Sequence, residues 1–163
     1  MSYNIGLISD THGSLHRDVF DLFEGVDCIL HAGDIVDKSI LLQLEAIAPT
    51  YAVVGNCDPP WHDVPEEHLL SLPCGKIVVL HSHLVADGAR TPAGLYAQYK
   101  AQNPALIVYG HTHLQLLKQV ENCWVVNPGP AGKPRLRDKP SLMLASWHET
   151  LNTWNFKSHL LVW

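Results

Sequence analysis

Apolar residues in this chain fall into short runs, and each run stops at a cluster of polar side chains. Tyr3–Ile8, Cys28–Leu30, Tyr51–Val54, Lys76–Leu80 and Leu106–Tyr109 are such runs, and their β-branched and aromatic content reads as buried strands. Between the first three, the spacing changes to that of helices. Ser14 is a cap for Leu15, Val19, Leu22 and Phe23, spaced i, i+4, i+7, i+8, and Gly25 is the stop. A second helix is predicted over about residues 38–48, burying Ile40, Leu44 and Ile47 ahead of Pro49. Thr91 and Pro92 start a third, carrying Leu95 and Tyr99, which Asn103-Pro104 ends. The β-α-β-α-β opening implies parallel strands joined by right-handed crossovers.

The loop Pro59-Pro60-Trp61-His62-Asp63 is irregular, and Leu69–Leu72 joined to Lys76–Leu80 through Pro73-Cys74-Gly75 predicts a hairpin. After His113 the pattern turns to antiparallel alternation. Leu114, Leu116 and Val120 alternate with Gln115 and Gln119, Glu121-Asn122 turns the chain, and Cys123–Val126 returns. Beyond the loop Asn127-Pro128-Gly129-Pro130, Leu142–Trp147 and Thr153–Lys157 form a last pair. The expectation is one mixed α/β domain over residues 1–163 whose two halves supply two packed sheets.

The residues just past each strand carry the chemical signal. In order the runs end in Asp10 and His12, then Asp34, then Asn56 with Asp58, then His81 and His83, then His111 and His113. In open α/β sheets the functional crevice lies beyond the carboxyl ends of the strands. Each residue alone has an ordinary explanation, since Asp caps helices and Asn favours turns. Five strand ends carrying carboxylates, an amide and imidazoles in one order make a metal site the better reading. Oxygen and nitrogen donors without thiolate pairs suit Mn²⁺, Fe, Ni²⁺ or Zn²⁺, and seven of these nine residues acting as donors suit two ions sharing a carboxylate. Gly33, Gly55 and Gly110 are expected to let the loops bend until they converge.

Composition narrows the partners. The 163 residues carry a net charge of −5 with His neutral, which argues against a nucleic-acid backbone as the main partner. Cys28, Cys57, Cys74 and Cys123 are scattered, and the N-terminus has no basic leader, so a reducing cytoplasm is expected. No apolar run approaches the ~20 residues that span a membrane. The basic run 133–139 (Lys133 to Lys139) reads as a solvated loop or as an aid in holding an anionic substrate. Trp61 and His62 could stack on a base, or Trp61 could simply cover the domain's edge. Leu160-Leu161-Val162-Trp163 is too apolar for a free tail and is expected to pack on this chain or on a second copy.

The set D-x-H, GD, GN-x-D, H-x-H and GHTH, from Asp10 to His113, resembles the calcineurin-like metallophosphoesterase superfamily, in particular its small bacterial and archaeal phosphodiesterases. That resemblance implies a four-layer α/β/β/α sandwich of two mixed sheets flanked by helices. It implies Asp10, His12, Asp34 and His113 on one divalent ion, and bridging Asp34 with Asn56, His81 and His111 on the other. Manganese is the first choice for both. Two such ions roughly 3.5–4 Å apart lower the pKa of a shared water to ~7, and the resulting hydroxide would attack a small phosphate diester in line with the leaving group. The imidazoles must be neutral to bind, so activity is expected to fall below pH ~6.

Three positions depart from the family pattern. Cys57 stands where many relatives have a histidine that protonates the leaving group, which turns attention to His83 or solvent as the proton source. Ser82 stands where a glycine is common, and only a small adjustment is expected. Lys38 replaces the arginine of the protein phosphatases and cannot form its bidentate fork, which argues against that class. The competing readings are a non-catalytic interaction scaffold with this fold, and a monoesterase or nucleotide pyrophosphohydrolase using the same core.

Overall fold

The computed structural model describes residues 1–163, which form two five-stranded sheets. In the first, β1 (Ser2–Ile8) is central, with β2 (Cys28–His31) parallel beside it and β3 (Thr50–Ala52) parallel beyond. On its other side β1 pairs antiparallel with β9 (Ser141–His148), and β10 (Thr153–Leu160) completes that edge. The second sheet runs β4 (Glu67–Leu72), β5 (Gly75–Leu80), β6 (Leu106–Tyr109), β8 (Cys123–Asn127), β7 (Leu116–Val120). Within it β5, β6 and β8 are parallel.

The inner strands β1, β2, β5 and β6 are largely apolar because each serves two cores. Ile5, Leu7, Cys28, Leu30, Ile77, Val79, Leu106 and Val108 point between the sheets and form one cluster. Their neighbours Ile8 and Ile29 face outward against Val19 of α1 (Asp18–Leu22), Phe23 just past its end, and Ile40 and Leu44 of α2 (Ser39–Glu45). On the far side Val78, Leu80, Ile107 and Tyr109 meet Leu95 and Tyr99 of α3 (Pro92–Tyr99). The layers are therefore α/β/β/α, as the resemblance implied.

Three expectations needed correction. The two sheets are not the two halves of the chain, because β9 and β10 return to β1 while the middle of the chain supplies the second sheet. Nor is the segment after His113 purely antiparallel, since β8 lies parallel to β6. Finally, α1 begins at Asp18 rather than after Ser14. The backbone N–H groups of His12 and Gly13 are committed to the carbonyls of Asp34 and Ile35, so the chain cannot turn helical until it leaves that loop.

Thr91 caps α3 as expected, its hydroxyl accepting from the Gly94 N–H at 3.1 Å. Of the apolar C-terminus only Leu161 is buried, among the residues around α1 and α2, while Leu160 and Val162 are exposed and Trp163 lies against the edge of His16. All four cysteines are free. No helix is long and apolar enough to cross a membrane. Because α3 has eight residues and holds its sheet mainly through fully buried Leu95, Leu95→Ala is expected to cost about 2–5 kcal/mol in urea unfolding. Metal affinity at the strand ends should not change.

Candidate metal centre

The C-terminal ends of β1, β2, β3, β5 and β6 meet at one rim, and the backbone there is unusual. Asp10, His12, Asp34, Ser82, His111 and His113 all have positive φ, between +46° and +76°. Such conformations cost L-residues on the order of 1–2 kcal/mol each and cluster at functional sites. They turn each side chain back over the strand ends. Ser82 was expected to need little adjustment, and at φ +76° it sits in the region that favours glycine. Two contacts fix it there. Its hydroxyl donates to the Gly110 carbonyl at 3.1 Å, and Arg90 Nε donates to its carbonyl at 2.9 Å.

The glycines act differently from expectation as well. Gly33 does turn with φ +92°, but Gly55 and Gly110 do not have positive φ. What they supply is space. A Cβ at Gly55 would overlap the Asp34 carboxylate, and one at Gly110 would overlap Ser9 Oγ.

Asp34 lies at the middle of the donors. Its Oδ1 accepts the Cys57 N–H at 2.8 Å and lies 3.3 Å from His81 Nε2, while Oδ2 is 3.7 Å from His12 Nε2. Burial alone would raise its pKa, but the bonds from His81 and Cys57 hold the carboxyl well below the usual range. His81 Nδ1 is 2.7 Å from the Ala32 carbonyl, which can only accept, so Nδ1 carries the proton. Its Nε2 lone pair then faces Asn56 Oδ1 at 3.1 Å and Asp34 Oδ1 at 3.3 Å. Acceptors facing one another require a cation or a proton between them. Consistently, burial works to lower the His81 pKa, yet the Asp34 bond and the Asp10 and Asp34 charges leave it raised.

A second convergence adjoins the first. His113 Nε2 lies 3.3 Å from Asp10 Oδ1 and 3.1 Å from His12 Nε2. Asp10, fully buried, also accepts the Ser9 hydroxyl at 2.6 Å and the His111 N–H at 3.2 Å. The bond to Asp10, against the effect of burial, pushes the His113 pKa up to about 9. Burial, and after it the Arg135 charge, holds His12 below its ordinary value. Donor atoms of Asp10, His12 and His113, and of Asp10, Asp34 and His81, lie within 4.8 Å of one another, as a metal ion requires. The His111 ring stands beside this set, its centroid 5.2 Å from that of His81. His83 is 5.4 Å from His81, with its Nδ1 buried and unpartnered, and burial keeps its imidazole below the ordinary value.

Several supporting residues had no local signature in the sequence. Asp138 accepts His113 Nδ1–H at 3.1 Å, from a carboxylate within the run read as basic. Arg90 gathers the carbonyls of Ser82, His83 and Val85, fixing the loop after β5. Asn127 donates to Thr112 Oγ1 at 3.0 Å and accepts the Gly129 N–H at 2.9 Å, tying the Asn127-Pro128-Gly129 loop to the loop after β6. His31 lies beneath the rim between the Thr11 hydroxyl at 3.0 Å and the Gly33 N–H at 3.2 Å. Cys57 Sγ is within 4.8 Å of donor atoms of His12 and Asp34, and burial followed by the Asp34 contact raises its pKa, leaving it a thiol.

Lys38 is engaged elsewhere, paired with Asp63 and 5.9 Å above the Trp61 ring. Trp61 itself packs against the α1–α2 core, the edge-covering role, while His62 is exposed.

A family model described as the calcineurin-like phosphoesterase superfamily domain matches residues 3–150. A probable metallophosphoesterase of Methanothermobacter thermautotrophicus is 35% identical over 146 residues, covering 86% of this chain and 83% of the relative. A phosphodiesterase of Methanocaldococcus jannaschii is 30% identical over 145 residues, covering 77% and 82%. Among solved structures, vacuolar protein sorting 29 from Cryptosporidium parvum superposes with a TM-score of 0.79 at 20% identity, covering 98% of both chains, a likeness of fold.

Two predictions come from this geometry. Gly55→Ala should displace the Asp34 carboxylate and lower Mn²⁺ affinity at least about tenfold by calorimetry, with little change in far-UV circular dichroism. His31 has its pKa pushed by burial from 6.5 down to about 4, so folding favours its neutral form. Its contribution to stability is complete above pH 6.5 and is lost as pH falls from there toward 4, by up to about 3 kcal/mol. Urea unfolding at a series of pH values should therefore show a smaller loss over that interval for His31→Gln than for the parent.

Proposed function

The chain belongs to the calcineurin-like phosphoesterase superfamily, and on that premise we propose that it hydrolyses small phosphate diesters with two divalent cations held at the sheet rim. The observation that carries this reading is the set of lone pairs aimed at one another. His81 Nε2, Asn56 Oδ1 and Asp34 Oδ1 face inward within 3.3 Å of the imidazole nitrogen, and His12, His113 and Asp10 repeat the arrangement alongside. The residues fit the cations. Asp10, His12, Asp34 and His113 would hold one, and Asp34, Asn56, His81 and His111 the other. Mn²⁺ is the first choice among Mn²⁺, Ni²⁺, Fe and Zn²⁺, given imidazole and oxygen donors.

Bound there, such ions supply Lewis-acid charge stabilisation and a water acidified enough to act as nucleophile near neutral pH. The protein's own part is to prepare the place. Asp34 accepts the Cys57 N–H, a bond that favours its ionised form in a buried position. The Ala32 carbonyl and the Asp138 carboxylate fix the tautomers of His81 and His113 so that Nε2 is free in both. His83 lies beside the centre without a hydrogen-bond partner for Nδ1, and we assign it the relay of a proton from solvent to the leaving oxygen. The diester assignment draws on the phosphodiesterase relative.

Asp34→Asn tests the reading. It should lower the bound-metal stoichiometry and reduce hydrolysis of bis-p-nitrophenyl phosphate with Mn²⁺ by more than about 100-fold. An asparagine variant that turns over like the parent would remove the shared carboxylate from the mechanism.

A further inference from the structure

Two recesses flank the metal centre, and they differ in charge. The one beside His83, about 200 Å³, is walled by Glu66, Glu67 and Tyr99, and the Tyr99 hydroxyl donates to Glu67 at 2.7 Å. A second phosphate would be repelled there. The other, beside His113, is bounded by Arg135, Leu136, Arg137 and Asp138. Neither Arg135 nor Arg137 has a carboxylate within 4.0 Å, so both guanidinium groups are uncommitted, whereas Lys38 on the opposite flank is paired with Asp63.

The turn that carries Arg135 is attached to the centre. Asp138 N–H donates to the Arg135 carbonyl at 2.8 Å, and Asp138 Oδ2 accepts the Arg135 N–H at 3.1 Å. The same carboxylate receives His113 Nδ1–H at 3.1 Å while only 14% exposed. One side chain thus closes the turn and grips a proposed metal ligand from 25 residues away. The Arg135 charge also reaches His12 and Cys57, lowering the pKa of each against or alongside larger effects of burial.

We propose that the turn from Arg135 to Asp138 is an anion-binding arm of the site, latched onto His113 by Asp138, and that Arg135 takes the second anionic group of the substrate. This deepens the phosphodiesterase reading and rests on it. The favoured substrate class is then a phosphate diester that carries a further phosphate on one of its ester arms. Asp138 is a positioning residue, acting on His113 and on the turn at once, and Arg135 is the group that touches the ligand.

Calorimetry with the full-length protein separates these roles, using Mn²⁺ first and then inorganic pyrophosphate against inorganic phosphate. Arg135→Ala should bind Mn²⁺ like the parent, lose about tenfold or more in pyrophosphate affinity, and lose less for phosphate. Asp138→Asn should weaken both Mn²⁺ and pyrophosphate, and Asp138→Glu should recover part of each. A Mn²⁺-loaded Arg135→Ala protein that holds pyrophosphate as tightly as the parent overturns the arm alone. Asp138→Asn with parental Mn²⁺ and pyrophosphate affinities overturns the latch. A parent protein that takes up no Mn²⁺ overturns the phosphoesterase reading itself, and the arm with it.

Discussion

Keeping the Asp34 carboxylate ionised while its side chain is only 4% exposed is the constraint on which the rim depends. A buried carboxylate reverts to its neutral form unless hydrogen bonds or charges hold it ionised. Here the Cys57 N–H comes from the loop after β3, and His81 from the end of β5 in the other sheet. The two sheets must therefore be set at one separation for the charge to be tolerated. The packing of Leu7, Leu30, Ile77 and Val79 between them sets that separation. Gly55 allows the final approach, because any side chain there would occupy the carboxylate's place.

The rim is also strained, and the stabilisation that offsets this comes from elsewhere in the fold. Six non-glycine residues at positive φ together represent several kcal/mol at about 1–2 kcal/mol each. Helices of five, seven and eight residues contribute little by themselves, being shorter than isolated helices need for stability. The double-sided burial of β1, β2, β5 and β6 is the large favourable term, since every apolar residue in these strands lies in one of the three cores. Strain at Ser82 shows how locally the conformation is held. Its hydroxyl and its carbonyl are both bonded, to residues of different loops, so the backbone there is over-determined.

Much of this was legible in the sequence for a simple reason. Strands buried on both faces appear as unbroken apolar runs, and the proposed ligands come directly after those runs, so the local order of residues already encodes the rim. What was not legible depends on pairing at a distance. Nothing in Leu142–Trp147 says that it will lie against β1 rather than extend the second sheet. Nothing in Ser14 reveals that the preceding N–H groups are bound to Asp34 and Ile35, which delays α1 to Asp18. Asp138, Arg90 and His31 act through side-chain contacts with residues up to 25 positions away, and no spacing rule marks them. Ser82 misled because a residue type alone does not reveal the φ it must adopt.

A non-catalytic scaffold is the competing use of this fold, and the energetics of the rim bear on the choice. A surface that only docks another protein gains nothing from Asp10, Asp34 and His81 in its interior. Replacing such groups by apolar residues of similar volume is often neutral or stabilising, because the desolvation cost disappears. The chain instead retains every donor and surrounds them with groups that orient them. The Ala32 carbonyl selects the His81 tautomer, Asp138 that of His113, and Ser9 and the His111 N–H hold Asp10. Orienting partners of this kind matter only if the lone pairs they free are used. An arrangement that is costly when empty, and in which imidazole and carboxylate acceptors face one another across about 3 Å, argues for cation binding and hydrolysis over docking alone.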